Sequence, residues 1–246
     1  MSIQFNDTTN KRGILQKIER LCKLNDAGIT GNTQRLKEFT AEVNMALDKA
    51  YSIIFKTNGT WQFDDSNHTD YPIITTSLAS GVRDYPFTTD KNGNLILDIY
   101  KVMVKNPSGI FEEIYPVDQQ SDEYTDGFWS GLNQTGTPTR YDKTANGIFL
   151  DCIPGYNSEN GLKVFINREG SYFTTSDTTK KPGFSGLFHN YLALVPSYEY
   201  AMTNSLSNKN DIKTEMIEME ADIKKHYRDR ARDERLIISS ESVNSK

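Results

Sequence analysis

Histidine and cysteine are scarce, at three and two in 246 residues. His68, His189 and His226 have no second His or Cys three or four residues away, so the spacing of a zinc site is missing and structural or solvent-exposed roles are expected. Cys22 and Cys152 lie far apart among apolar neighbours, a pattern that favours buried free thiols over a disulfide. No apolar run approaches the roughly 18 residues that a membrane-spanning helix needs. The opening MSIQFNDTTNKRG lacks the apolar stretch of a signal peptide, so a cytoplasmic working compartment is expected. The sequon-like triplets at Asn6, Asn58, Asn67 and Asn133 are then read as chance. Basic charge is also short. With 28 Lys and Arg against 33 Asp and Glu the net charge is -5, which argues against a dedicated nucleic-acid binder and leaves DNA contact incidental. Walker-type, dinucleotide-binding and Gly-x-Ser-x-Gly patterns are absent.

What is present is a change of period along the chain. Ile14, Ile18, Leu21 and Cys22 recur at helical spacing over residues 11–24, with Asn10 as the expected N-cap. A longer helix carries Leu36, Phe39, Val43, Ala46, Leu47, Ala50, Ile53 and Ile54 and is expected to stop at Asn58-Gly59. Beyond Trp61 the period becomes 2. Strands are expected at 73–80, at the Pro-broken edge segment 84–87, and at 95–105, where Tyr100, Val102 and Val104 face a core while Lys101, Met103 and Lys105 face a wetter side. Pro107-Ser108-Gly109 closes a hairpin onto 110–117. Residues 139–143, a turn at Ala145-Asn146-Gly147 and a return at 148–153 form a second hairpin, with Ile148, Leu150 and Cys152 on one face. Leu162, Val164 and Ile166 alternate with Lys163, Phe165 and Asn167 in one more strand. Helical spacing resumes near Leu187, with a kink or restart expected at Pro196. A final helix spans about 211–235 with Ile212, Met216, Met219, Ile223 and Tyr227 on one stripe.

The expected fold class is α+β: a terminal α-helical bundle from 1–60 and 185–235, an inserted antiparallel β-rich, sandwich-like block at 61–184, and a flexible tail at 236–246.

Few residues suggest chemistry. The stretch 90–98, DKNGNLILD, has oxygen donors at Asp90, Asn92 and Asn94, but Leu95 stands where a calcium loop needs glycine and Lys101 where it needs an acid, so a β-turn is the better account. Glu112-Glu113 and Asp64-Asp65 are adjacent acids that point to opposite faces when extended and make no catalytic pair. Tyr124, Phe128 and Trp129 form an aromatic loop that either stacks on a sugar or, the preferred reading, anchors a loop or a neighbouring subunit. The run RDRARDER interleaves Arg228, Arg230, Arg232 and Arg235 with three acids, and Leu236, Ile237 and Ile238 follow it. These suit a subunit-bridging or docking end better than a phosphate grip. No catalytic, cofactor-binding or metal-binding residue is nominated, and no enzyme is expected. Two other classes compete: a carbohydrate- or receptor-binding module built on the aromatic loop, and a cell-wall glycan hydrolase using acids such as Glu112 or Asp122.

The order of the segments carries a resemblance. SLASGVRDYPF at 77–87, ILDIYKVMVKNPSGIFEEIYPVDQQ at 96–120, GTPTRYDKTANGIFLDCIPG at 136–155, LKVFINREG, and FHNYLALVPSYEYAMTNSL at 188–206 follow one another as in the head-to-tail adaptor (connector) proteins of short-tailed bacteriophages. The chain resembles that family over roughly residues 33–235. It departs at Asp151-Cys152-Ile153-Pro154, where the family often has Tyr-Pro-x-Pro. The resemblance implies a non-enzymatic virion protein at the head–tail junction, made in the bacterial host cytoplasm. It also implies a homo-oligomeric ring, a dodecamer following the portal, with the portal protein on one side and downstream tail or tail-hub proteins on the other. DNA would pass through only transiently, with no cofactor and no membrane. Within that picture Arg228, Arg230, Arg232, Arg235, Leu236, Ile237 and Ile238 are the expected subunit or portal interface, and Tyr124, Phe128 and Trp129 the tail-facing loop.

Overall fold

The computed structural model describes residues 3–57, 73–90, 93–117 and 134–234, the last five of these through their backbone alone. The chain is mixed α+β and divides into two compact units, Met1–Thr69 with Gly170–Lys246 and Asp70–Glu169.

Among the described residues the first unit holds four α-helices: α1 (Ile14–Leu21), α2 (Thr33–Thr57), α3 (Tyr191–Thr203) and α4 (Lys209–Glu234). Helix α1 is shorter than its apolar period suggested. Asn10 is not its cap: the Asn10 N–H bonds to Asp7 Oδ1 at 2.9 Å, and Lys11 has φ 58°, so a separate turn precedes the helix. At the other end Lys23, at φ 55°, takes the left-handed conformation that stops a helix. Helix α2 is capped as chemistry prescribes, with Asn32 Oδ1 accepting from the N–H groups of Gln34 at 3.0 Å and Arg35 at 3.1 Å. The expected stop at Asn58-Gly59 lies outside the described residues. Of the kink or restart expected at Pro196, the restart does not occur: helix α3 continues through the proline. The proline removes only the donor to the Leu192 carbonyl, and a 3-10 turn at Gly186–Phe188 leads into the helix.

Apolar side chains from all four helices form one core. It takes Ile14, Leu15 and Ile18 from α1, Val43, Leu47 and Ile54 from α2, Tyr191, Leu192 and Leu194 from α3, and Ile212, Ile223 and Tyr227 from α4. Phe5, Phe173 and Phe184 belong to the same core. Phe173 stacks on Phe5 with ring centroids 4.6 Å apart, and Phe184 meets Tyr51 edge-on at 6.1 Å. Residues 170–184 therefore join the helices, where the expected β block extends to 184. Across the core surface Glu220 of α4 pairs with Lys49 of α2 at 2.9 Å and accepts from Tyr191 Oη of α3 at 2.8 Å.

Among the described residues the second unit holds nine strands: β1 (Ile73–Leu78), β2 (Asp84–Pro86), β3 (Ile96–Lys105), β4 (Phe111–Pro116), β5 (Thr135–Gly136), β6 (Arg140–Thr144), β7 (Gly147–Leu150), β8 (Ile153–Pro154) and β9 (Ser158–Arg168). Seven make one sheet in the order β1-β9-β3-β4-β6-β7-β2, and β5 pairs with β8. Leu78 of one edge strand and Tyr85 of the other reach the same apolar core, so the sheet curls around it. A curled seven-stranded sheet thus stands where a sandwich-like block was expected. Two pairings, β4 with β6 and β5 with β8, are parallel, against the antiparallel expectation. A parallel return needs a crossover of about a dozen residues or more, and the chain between β4 and β6 is long enough to supply it.

Two local departures have clear causes. In β3 the register slips between Ile99 and Lys101, so Ile99 is buried and Tyr100 is not on the core face where simple alternation put it; Val102 and Val104 keep theirs. The return of the β6–β7 hairpin ends at Leu150. The Asp151 carboxylate accepts from Thr139 N–H at 3.2 Å, Thr139 Oγ1 at 2.7 Å and Arg140 N–H at 3.1 Å, which turns the chain and leaves Cys152 outside the strand and half-buried. The glycine of the turn has a packing reason: a Cβ at Gly147 would lie 2.2 Å from the Tyr85 carbonyl oxygen of β2.

Candidate functional site

Helices α2 and α3 leave a cavity of ≈ 320 Å³ between them, lined by Arg35, Glu38, Phe39, Glu42, Pro196, Glu199, Tyr200, Thr203 and Asn204. The helical spacing of Arg35, Glu38 and Glu42 puts them on one side of α2, and that of Glu199 and Thr203 puts them on one side of α3. The Phe39 and Tyr200 rings meet across the helix pair with centroids 5.7 Å apart. Three carboxylates against one guanidinium make the cavity acidic. Glu42 Oε2 is enclosed and has no hydrogen-bond partner. Burial pushes the Glu42 carboxyl up to about 7; the facing Glu199 adds to the shift, first as a hydrogen-bond partner for the protonated carboxyl and then by repulsion between the two acids.

That shift has a definite sign in stability. Glu42 is protonated in the fold over the range from its ordinary 4.5 to about 7, where the unfolded chain has released the proton. Its stabilising contribution is complete below the lower value and is lost as pH rises through about 7. The variant Glu42→Gln, neutral at every pH, is expected to remove this falling limb. Urea midpoints of variant and wild type that change in parallel between about pH 5 and 7 would show that the carboxyl is not protonated in the fold.

The other residues singled out in the sequence are engaged elsewhere. His189 is fully buried, with Nδ1 accepting from Ile3 N–H at 3.1 Å and Nε2 2.8 Å from the Phe184 carbonyl oxygen. His226 lies edge-on between Phe188, at 5.2 Å, and Tyr227, at 5.1 Å. Cys22 and Cys152 are free, and burial pushes both thiols up to about 11, which keeps them protonated. Asp90 holds its own turn, accepting from Asn94 N–H and Asn94 Nδ2, each at 2.9 Å, and pairs with Arg168. Glu113 pairs with Lys101 at 2.8 Å and Glu112 accepts from Asn106 at 2.7 Å, so the two adjacent acids work separately.

Of the expected interface residues, Arg228 is exposed near the end of α4, with Asp229 3.9 Å from its Nε. Arg230 and Arg232 continue the helix, while Arg235, Leu236, Ile237 and Ile238 lie outside the described residues, as do Tyr124, Phe128, Trp129, His68, Asp64, Asp65 and Asp122. The α2–α3 cavity was missed in the sequence. Its signal was there in Arg35, Glu38 and Glu42 on the polar face of α2, but only the pairing with α3 brings Glu199 opposite. Among the described residues no group of three His, Cys, Asp or Glu side chains is placed to hold a metal, and no helix is long and apolar enough to cross a membrane. No protein-family model and no curated protein matches the chain.

Proposed function

We propose that the protein is a structural virion component, the head-to-tail adaptor ring that joins a bacteriophage portal to its tail. One observation carries this reading: residues from Phe5 to Ile54 and from Phe173 to Tyr227 share one apolar core, while residues 70–169 form a separate β unit between them in sequence. The order of segments implies a terminal bundle with an inserted block, and this division supports that reading. Such a division of labour suits a neck protein. One unit packs copy to copy and against the portal, and the other is presented to the tail, in a closed heterologous ring. The acidic cavity between α2 and α3 supports the copy-to-copy part, since it offers a neighbour's exposed arginine, such as Arg228, a complementary seat.

The test is assembly. The purified protein is expected to be monomeric or weakly associated alone and to form a ring on the portal particles of the same phage, seen by electron microscopy as density below the portal. Charge reversal by Glu199→Arg should weaken that ring while leaving the circular dichroism of the free chain unchanged. Portal particles that stay bare with the wild-type protein would end the reading.

A further inference from the structure

The sign of the whole chain hides a local reversal. Alternation places Val102, Val104, Leu162, Val164 and Ile114 in the core of the β unit, so the residues between them point away from it. Three rows of that outer face follow from the register. Ile73, Phe165 and Lys101 lie abreast, then Thr75, Lys163, Met103 and Glu113, then Lys105 and Phe111. The lysines are held by rings. Lys163 Nζ stands 3.9 Å from the centroid of Phe111, Lys105 Nζ 5.7 Å from the same ring, and Lys101 Nζ 5.8 Å from that of Phe165. Glu113, bound to Lys101 at 2.8 Å, is the one acid within these rows, and Tyr115 beside it is 63% exposed.

We propose that this face of β1, β9, β3 and β4 is a contact surface for the phosphate backbone of duplex DNA. Lys101 and Lys105 are four residues apart on one strand, a span of about 13 Å, with Lys163 opposite the residue midway between them. Three ammonium groups along such a span match a polyanion carrying a phosphate every ~3.4 Å of rise on each strand. The ring faces carry the ammonium groups, which pre-orders the long side chains and leaves Phe111 poorly placed to stack on a base. The contact is therefore to backbone, indifferent to sequence, and weak, because three lysines against one acid release few counterions. A weak, sliding contact of this kind does not depend on the ring: it is a property of the single chain and is measured on it.

The experiment is fluorescence anisotropy of a short labelled duplex with the full-length protein over a salt series. Wild type is expected to bind at low salt and to bind about 40-fold more weakly at about 200 mM than at about 50 mM, the slope of roughly three neutralised phosphates. The triple variant Lys101→Gln, Lys105→Gln, Lys163→Gln should lose that binding and its slope. The control Lys209→Gln, Lys213→Gln, Lys225→Gln, with the same change in charge on exposed positions of α4, should keep both. Absence of wild-type binding at low salt would overturn the proposal, and so would equal losses in the two triple variants. Displacement of the duplex by polyglutamate as readily as by unlabelled DNA would overturn it in favour of an acidic protein partner. Bare portal particles alongside intact duplex binding would instead remove the adaptor reading and leave this surface standing.

Discussion

Replacing Arg168 by methionine is expected to lower the unfolding free energy of the β unit by about 3–5 kcal/mol. The Arg168 and Asp90 side chains are only 4% and 5% exposed, and they are paired. Asp90 also fixes the turn before β3 through both polar groups of Asn94, while Arg168 ends β9, so one ion pair ties a loop to the end of a central strand. Methionine fills much of the arginine stem but leaves the Asp90 carboxylate enclosed without its cation. Loss of the countercharge from this buried carboxylate is where most of the cost arises, since the attraction within a buried pair largely offsets its own desolvation. The double variant Asp90→Leu, Arg168→Met should therefore recover most of the loss, and denaturant midpoints of the four proteins form the cycle that measures it. A loss below about 1 kcal/mol in the single variant would mean that water reaches the carboxylate and the pair is not buried in solution.

The contrast between this pair and the rest of the unit explains what was legible beforehand. Val102, Val104, Leu162, Val164, Ile148 and Leu150 were readable as core because a sheet with one buried face writes its pattern at period 2. Tyr100 misled because the bulge between Ile99 and Lys101 breaks the alternation that Val102 and Val104 keep, and nothing in a run of apolar residues marks where the extra residue sits. The partnership of Asp90 with Arg168 spans 78 positions, and no local pattern encodes it. Phe173 and Phe184 were assigned to the β block because they follow its last strand; only Phe5, Tyr51 and the helices around them give these rings a place to be buried. For the same reason the acidic cavity and the lysine face stayed hidden. Glu42 with Glu199, and Lys101 with Lys163, become neighbours only through pairing between distant elements. A net charge of -5 averages over both signs and over both units.

The helical unit carries a comparable dependence in His189, where the expected outcome turns on pH. With Nδ1 accepting from Ile3 N–H, the ring proton must sit on Nε2 and be donated to the Phe184 carbonyl, so the buried imidazole is neutral. Burial holds it below its ordinary 6.5, outweighing the two backbone hydrogen bonds. Protonation would aim a second N–H at that of Ile3. Between the depressed value and 6.5 the unfolded chain binds the proton and the folded one does not. The contribution of His189 is thus complete above 6.5 and is lost as pH falls below it, by at most about 1.4 kcal/mol per pH unit for one proton. Glu42 acts in the opposite sense over much of the same range, so the two partly cancel in the wild type. The limb is best measured in a Glu42→Gln background by urea midpoints from about pH 7.5 down to about 5, above the range where ordinary carboxylates titrate. His189→Gln in that background should abolish the slope. His189→Ala should cost about 3–5 kcal/mol at neutral pH, because it opens a cavity beside Phe184 and leaves the Ile3 N–H and the Phe184 carbonyl without their partner. Midpoints that stay level from neutral to acidic pH in the Glu42→Gln protein would show that His189 is not held neutral by the fold, and that the N-terminal segment is secured instead by the Phe5 ring and by the N–H groups of Phe5 and Asn6, which donate to the Lys180 and Thr178 carbonyls.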